Sequence, residues 1–185
     1  MEFKDITPNF YQDSNQKPFC ECTFCGKNLQ ESNEPYLIEK SFKRNRQSKQ
    51  LLTVIEYAIC LECTIKKTQA ISEESRQNIE KYMRENVLNS EGNLPRRNFV
   101  EKLEFCAATG KNVEDLDEFN LVGQFIGDKM LVQEFPVVMS HEISEEIQGL
   151  LSEKTKEEFD KFMDTITGVP PELKELFKTK RPVLI

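Results

Sequence analysis

Two Cys-x-x-Cys pairs constrain this chain more than any other feature. Cys22-Thr23-Phe24-Cys25 and Cys60-Leu61-Glu62-Cys63 stand thirty-odd residues apart. Two intervening residues let a tight turn aim both sulfurs of a pair at one point. Four thiolates so arranged can wrap a tetrahedral Zn²⁺ with Zn–S near ~2.3 Å. Gly26 follows the first pair and suits the strained backbone of its turn. The second pair precedes "TIKKTQAISEESRQNIEKYMREN", which reads as helix. Its thiolates then lie at a helix N-terminus, where the dipole favours negative charge. The expected ligands are Cys22, Cys25, Cys60 and Cys63, holding one Zn²⁺ per chain. The competing readings are two disulfides or a redox pair. A redox CxxC occurs once, in a βαβ setting, and not as two matched jaws. Cys20 is left over, either replacing Cys22 as a ligand or standing as a spare, partly buried thiol.

A loop with CxxC-Gly-Lys, then a hairpin, then a CxxC opening a helix is the order of a treble-clef zinc finger. The segments "CTFCGK" and "AICLEC" resemble the N-terminal zinc-binding domain of the ClpX chaperone. The resemblance covers those two segments alone. It implies a treble-clef fold, the four ligands Cys22, Cys25, Cys60 and Cys63, and protein binding. The chain departs from that family in a longer loop between the motifs. It also has no GxxxxGK[ST] sequence for an ATPase.

The first motif returns with its donors altered. "FCAATGKN" (105–112) lies under "ECTFCGKN" (21–28): Cys106 matches Cys22, Gly-Lys-Asn matches Gly-Lys-Asn, and Thr109 replaces Cys25. This offset of 84 continues through Leu37/Leu121 and Ile38/Val122. It then falls to 80, where "ISEESRQNIEKYM" (71–83) lies over "LSEKTKEEFDKFM" (151–163). At that offset Ser140 replaces Cys60 and Ile143 replaces Cys63. The reading is an internal duplication, with the change of offset placed in the hairpin. The expected fold is α+β: a tandem of treble-clef-like units (knuckle, β-hairpin, helix), one zinc-bound and one metal-free, packed as an intrachain pseudo-dimer. Small units bury little apolar surface, so metal staples the first. The second is expected to rely on apolar residues such as Phe119, Phe125, Met139, Ile143 and Ile147.

Along the chain, residues 1–18 read as a polar lead-in and 19–88 as the zinc-binding unit. Residues 89–97 form a Gly/Pro linker, 98–167 the degenerate metal-free unit, and 168–185 a C-terminal tail ending in "RPVLI". "EPYLIEK" and "KQLLTVIEYAI" read as hairpin strands. Ser72 is expected to cap a second helix, and Gly127-Asp128 to turn a second hairpin. Phe159, Phe162, Met163 and Ile166 form an apolar stripe on the last helix.

Three functional classes compete. The net charge of −7 and the metal-free second unit fit a protein-interaction or adaptor module with a protein partner. The alternative is a nucleic-acid binder using Lys43, Arg44, Arg46 and Lys49 at the first hairpin tip, with Arg96-Arg97 in the linker. The acidic balance and the lack of interleaved aromatic residues beyond Phe42 oppose it. An enzyme is improbable. The single histidine, His141, gives HExxE without a second histidine, and four cysteines leave zinc no open position for water. No apolar run approaches ~18 residues, so no membrane span is expected. "MEFKDITPNF" lacks the order of a signal peptide. With six cysteines better explained by metal than by disulfides, the expected setting is cytoplasmic.

Overall fold

A computed structural model describes residues 2–88, 92 and 94–165. Within them, a mixed α/β fold is built on one antiparallel sheet with five helices. The strands are β1 (Phe3–Asp5), β2 (Tyr36–Arg44), β3 (Leu51–Cys60), β4 (Glu118–Ile126), β5 (Lys129–Leu131) and β6 (Val137–Ser140). The helices are α1 (Leu61–Ala70), α2 (Glu73–Asn86), α3 (Phe99–Glu104), α4 (His141–Gly149) and α5 (Glu153–Thr165). The sheet order is β1-β5-β4-β2-β3, with β6 also paired to β4.

At the centre, β2 and β4 pair from Tyr36↔Phe125 to Lys43↔Glu118. The hairpin strands of the two halves thus form one sheet. Side chains alternate between its faces, as strand geometry requires. Tyr36, Ile38, Ala58, Phe119, Leu121 and Phe125 belong to a core shared with Phe10, Leu29 and Met130. Tyr57 and Ile59 belong to a second cluster, and Val137 and Met139 join Ile143 and Ile147 of α4 in a third.

The N-terminal segment is more than a polar lead-in. β1 adds to the outer edge of β5, and Phe10 is fully buried. Its ring meets Phe125 edge-on at 5.0 Å. Gly123 makes room for it: a Cβ there would lie 2.7 Å from the Phe10 ring. Nearby, Lys40 is 2% exposed. Its ammonium reaches Asp13 at 2.6 Å, Glu56 at 3.0 Å and the Tyr11 carbonyl at 2.7 Å. A buried cation held this way ties residues 11–13 to the sheet. Single anchors spaced along an irregular segment leave no periodicity in sequence.

The expected break between the first two helices is present. α1 ends at Ala70, and Ser72 Oγ accepts the Ser75 N–H at 3.2 Å as the cap of α2. Gly127, with φ +55°, turns β4 into β5. The tail at 168–185, Ile166 and part of the 89–97 linker lie outside the described residues, as do the side chains of Phe162 and Met163.

Replacing Gly123 with alanine should push Phe10 off the sheet. The expected cost is about 1–3 kcal/mol, the range for overpacking a filled core. Urea unfolding of both chains measures it.

Candidate metal centre

The first jaw is built by backbone hydrogen bonds. The Cys22 N–H donates to the Lys27 carbonyl at 2.8 Å, and the Gly26 N–H donates to the Cys22 carbonyl at 2.9 Å. Gly26 sits at φ +70°, in the left-handed region that favours glycine. Thr23 fastens the loop to β3. Its N–H donates to the Ala58 carbonyl at 2.8 Å, and its hydroxyl accepts the Ala58 N–H at 3.1 Å. The second jaw is the junction of β3 and α1. Cys60 occupies the N-cap and Cys63 the first turn.

These elements bring the sulfurs of Cys22, Cys25, Cys60 and Cys63 within 4.8 Å of one another. Cys25 and Cys60 Sγ are 3.7 Å apart. Zn–S bonds of ~2.3 Å at tetrahedral angles place sulfurs about 3.8 Å apart. A disulfide needs ~2.05 Å, and all six cysteines are free. The four cysteines lie close enough to hold a metal ion. Cys22 and Cys60 are buried, Cys63 is half-buried, and Cys25 is exposed. Cys20 is outside the cluster; it is exposed, and its sulfur contacts the Pro18 carbonyl at 3.7 Å.

Electrostatics also suit a cation. Burial opposes ionisation of Cys22, yet backbone N–H groups of Cys60, Phe24 and Cys25 outweigh it and lower its pKa. The Cys60 N–H to Cys22 Sγ distance is 3.4 Å. Burial raises Cys63, and the neighbouring sulfurs of Cys25, Cys60 and Cys22 raise it further. Such crowding is relieved by a cation, which deprotonates the thiols that coordinate it. Four sulfur donors in this geometry suit zinc, with every tetrahedral position taken.

A second loop has the same frame. The Cys106 N–H donates to the Lys111 carbonyl at 2.9 Å, and the Gly110 N–H to the Cys106 carbonyl at 2.9 Å. Gly110 has φ +68°. The Ala107 N–H donates to the Val138 carbonyl at 2.8 Å, and the Ser140 N–H to Cys106 Sγ at 3.4 Å. Ser140 is fully buried, and its hydroxyl has no hydrogen-bond partner among the described residues.

Three of the four basic side chains at the hairpin tip pair with nearby residues of the chain. Lys43 pairs with Glu118 at 2.6 Å and Arg46 with Asp117 at 3.0 Å. Arg44 donates to the carbonyls of Val113 and Leu116. Lys49 has φ +60° and closes the turn through its N–H to the Asn45 carbonyl. In the 89–97 segment, Arg97 donates to the carbonyls of Phe105 and Cys106. His141 opens α4, with Nε2 3.3 Å from Glu145.

Sequence patterns did not single out Lys67. It lies one turn beyond Cys63, and its ammonium stands over three rings: Phe24 and Tyr57 at 5.5 Å, Phe159 at 5.8 Å. Burial pushes its pKa down to about 7, against the upward pull of Glu39 and Cys63. The signal was present only as spacing, with Lys67 at i+4 from Cys63 on one helix face.

Comparisons of the chain with protein-family models, curated proteins and solved structures gave no match. The likeness to the ClpX zinc-binding domain therefore rests on its two short motifs. Among the described residues, no helix is long and apolar enough to cross a membrane.

Elemental analysis of the purified chain should give about one zinc, the number one tetrahedral four-sulfur site takes. Cys60→Ser should abolish it and lower the melting temperature sharply. Cys20→Ser and Cys106→Ser should each leave the zinc content unchanged.

Proposed function

We propose that this chain is a structural zinc protein acting as a protein-interaction or adaptor module. Zinc on Cys22, Cys25, Cys60 and Cys63 would fix the first knuckle and the start of α1. It would do no chemistry, since four sulfurs leave no position for water or substrate. The free thiols fit a reducing, cytoplasmic setting.

The architecture we propose is a duplicated treble clef packed on itself, a zinc-bound unit at 19–88 and a metal-free one at 98–167. The matched hydrogen bonds of the two knuckles support it. So does the central pairing: Ile38 faces Gly123 while Glu39 faces Val122. At the sequence offset of 84, Ile38 corresponds to Val122 and Glu39 to Gly123. Each position thus faces the counterpart of its neighbour, the reciprocity of a twofold interface. The helices repeat the relation. The Ser72 N–H donates to Thr155 Oγ1 at 3.0 Å, and the Ser152 N–H to Ser75 Oγ at 2.8 Å.

One observation carries the interaction reading. Leu61 and Ile65 lie one turn apart on α1, beside the four sulfurs, and are 37% and 47% exposed. The corresponding positions on α4 are His141 and Glu145, which pair with each other. The first unit thus shows solvent an apolar pair where the second shows a polar one. Exposed apolar residues placed on a rigid element suit a protein partner. The nucleic-acid reading is weaker because Lys43, Arg44 and Arg46 already serve Glu118, Asp117 and nearby carbonyls.

The test is affinity capture from the source cell, with and without nuclease, using the native chain and Leu61→Glu/Ile65→Glu. Nuclease-resistant capture by the native chain, lost in the variant at unchanged zinc content, is expected. Capture that nuclease abolishes would overturn the reading, as would retention on heparin at low salt that Lys43→Glu/Arg44→Glu/Arg46→Glu removes.

A further inference from the structure

α1 is held at both ends by different parts of the molecule. Its start carries Cys60 and Cys63 of the four-sulfur cluster. One turn on, Lys67 lies among Phe24, Tyr57 and Phe159. Phe24 belongs to the first CxxC loop, whereas Phe159 belongs to α5. Beyond the end of α1, Ser72 and Ser75 meet Ser152 and Thr155 at the start of α5. Ser72 and Ser152 hydroxyls are 2.9 Å apart, and Ser75 Oγ donates to Thr155 Oγ1 at 3.1 Å. Ser75 and Thr155 are buried to 1% exposure or less. The seam borders a surface pocket. A half-open pocket of about 20 Å³ is lined by Lys67, Ala70, Ile71, Thr155, Glu158 and Phe159.

We infer that metal occupancy is coupled through α1 to the seam with α5, so that losing the metal loosens α5 from the front half. The inference rests on the four-sulfur metal reading. The cation fixes the first turn of α1 and the loop bearing Phe24 against one another. That relation sets where Lys67 meets Phe159 and where Ser72 presents its N–H to Thr155. Without the cation, lost coordination frees the first turn of α1, and the seam loses its register. The seam is the weak point because its polar contacts are paired across two elements and it borders a pocket open to solvent. The β2–β4 ladder lies outside this route and keeps its own hydrogen bonds. The device is a metal-dependent latch, and its opening would uncover Phe159 and four hydroxyls.

Hydrogen exchange on the full chain, before and after treatment with a strong chelator, tests the latch. Metal removal should speed exchange at Thr155–Phe159 amides about tenfold or more while β2 and β4 stay protected, as sub-global opening requires. Unchanged protection of α5, or loss of the β2–β4 ladder together with it, would overturn the inference. Linkage supplies a second reading, because coupling between two sites is reciprocal. Phe159→Ala should weaken zinc affinity about fivefold or more in competition with a chelator. Ile147→Ala, a truncation of a comparably buried apolar side chain in the α4 cluster, should leave affinity unchanged. Equal affinity of Phe159→Ala and the native chain would sink the latch alone. A chain that takes up no zinc at all would sink the metal reading, and the latch with it.

Discussion

The antiparallel contact of β2 with β4 is the constraint on which the rest of the structure depends. A lone two-stranded hairpin is marginal in water. Here the β2–β3 hairpin and the strands that follow residue 118 each gain a neighbour along the residues from Tyr36 to Lys43. The joint sheet offers two faces, one for the knuckles, α3 and the N-terminal segment, the other for the longer helices. Phe10, Ile38, Leu121 and Phe125 share one core because this contact places them together. Glu39 and Lys40 become buried for the same reason, so each needs polar company.

Within that frame the two halves find rigidity differently. The front knuckle converges four sulfurs and leaves its helix, α1, with no buried residue. The loop at 105–112 carries one thiol, Cys106, fully buried, whose sulfur accepts the Ser140 N–H. Its helix, α4, buries Ile143 and Ile147. Where α1 has Cys63, α4 has Ile143. A cluster of thiols at the start of α1 and apolar packing along α4 stand beside loops with the same backbone hydrogen bonds. α1 leaves Leu61 and Ile65 exposed.

Much of the site was legible in the sequence because ligation demands close spacing. A CxxC, a glycine at the left-handed position and a helix start are local signals, and Cys22, Cys25, Cys60 and Cys63 were identified from them. The two strands of the first hairpin and the Ser72 cap were legible for the same reason. What escaped was non-local. Phe10 and Lys40 acquire their roles only when residues 5–13 fold over a sheet whose centre lies more than a hundred positions away at Gly123. The rings around Lys67 come from a loop, a strand and a distant helix. The ion pairs of the hairpin tip are non-local for the same reason, because Asp117 and Glu118 are far from Lys43 and Arg46 in sequence and adjacent in space.

β1 crosses the molecule in an unexpected direction. The first strand of the chain lies against residues 129–131, on the far half, while the segment just after it plugs the sheet at Gly123. The polypeptide is therefore interlaced: residues 3–5 complete a sheet edge formed by residues 129–131. During synthesis the amino terminus must wait for its dock until the ribosome has passed residue 131. Severing the backbone between residues 88 and 94 would yield two pieces that still embrace, since one lends a strand to the other.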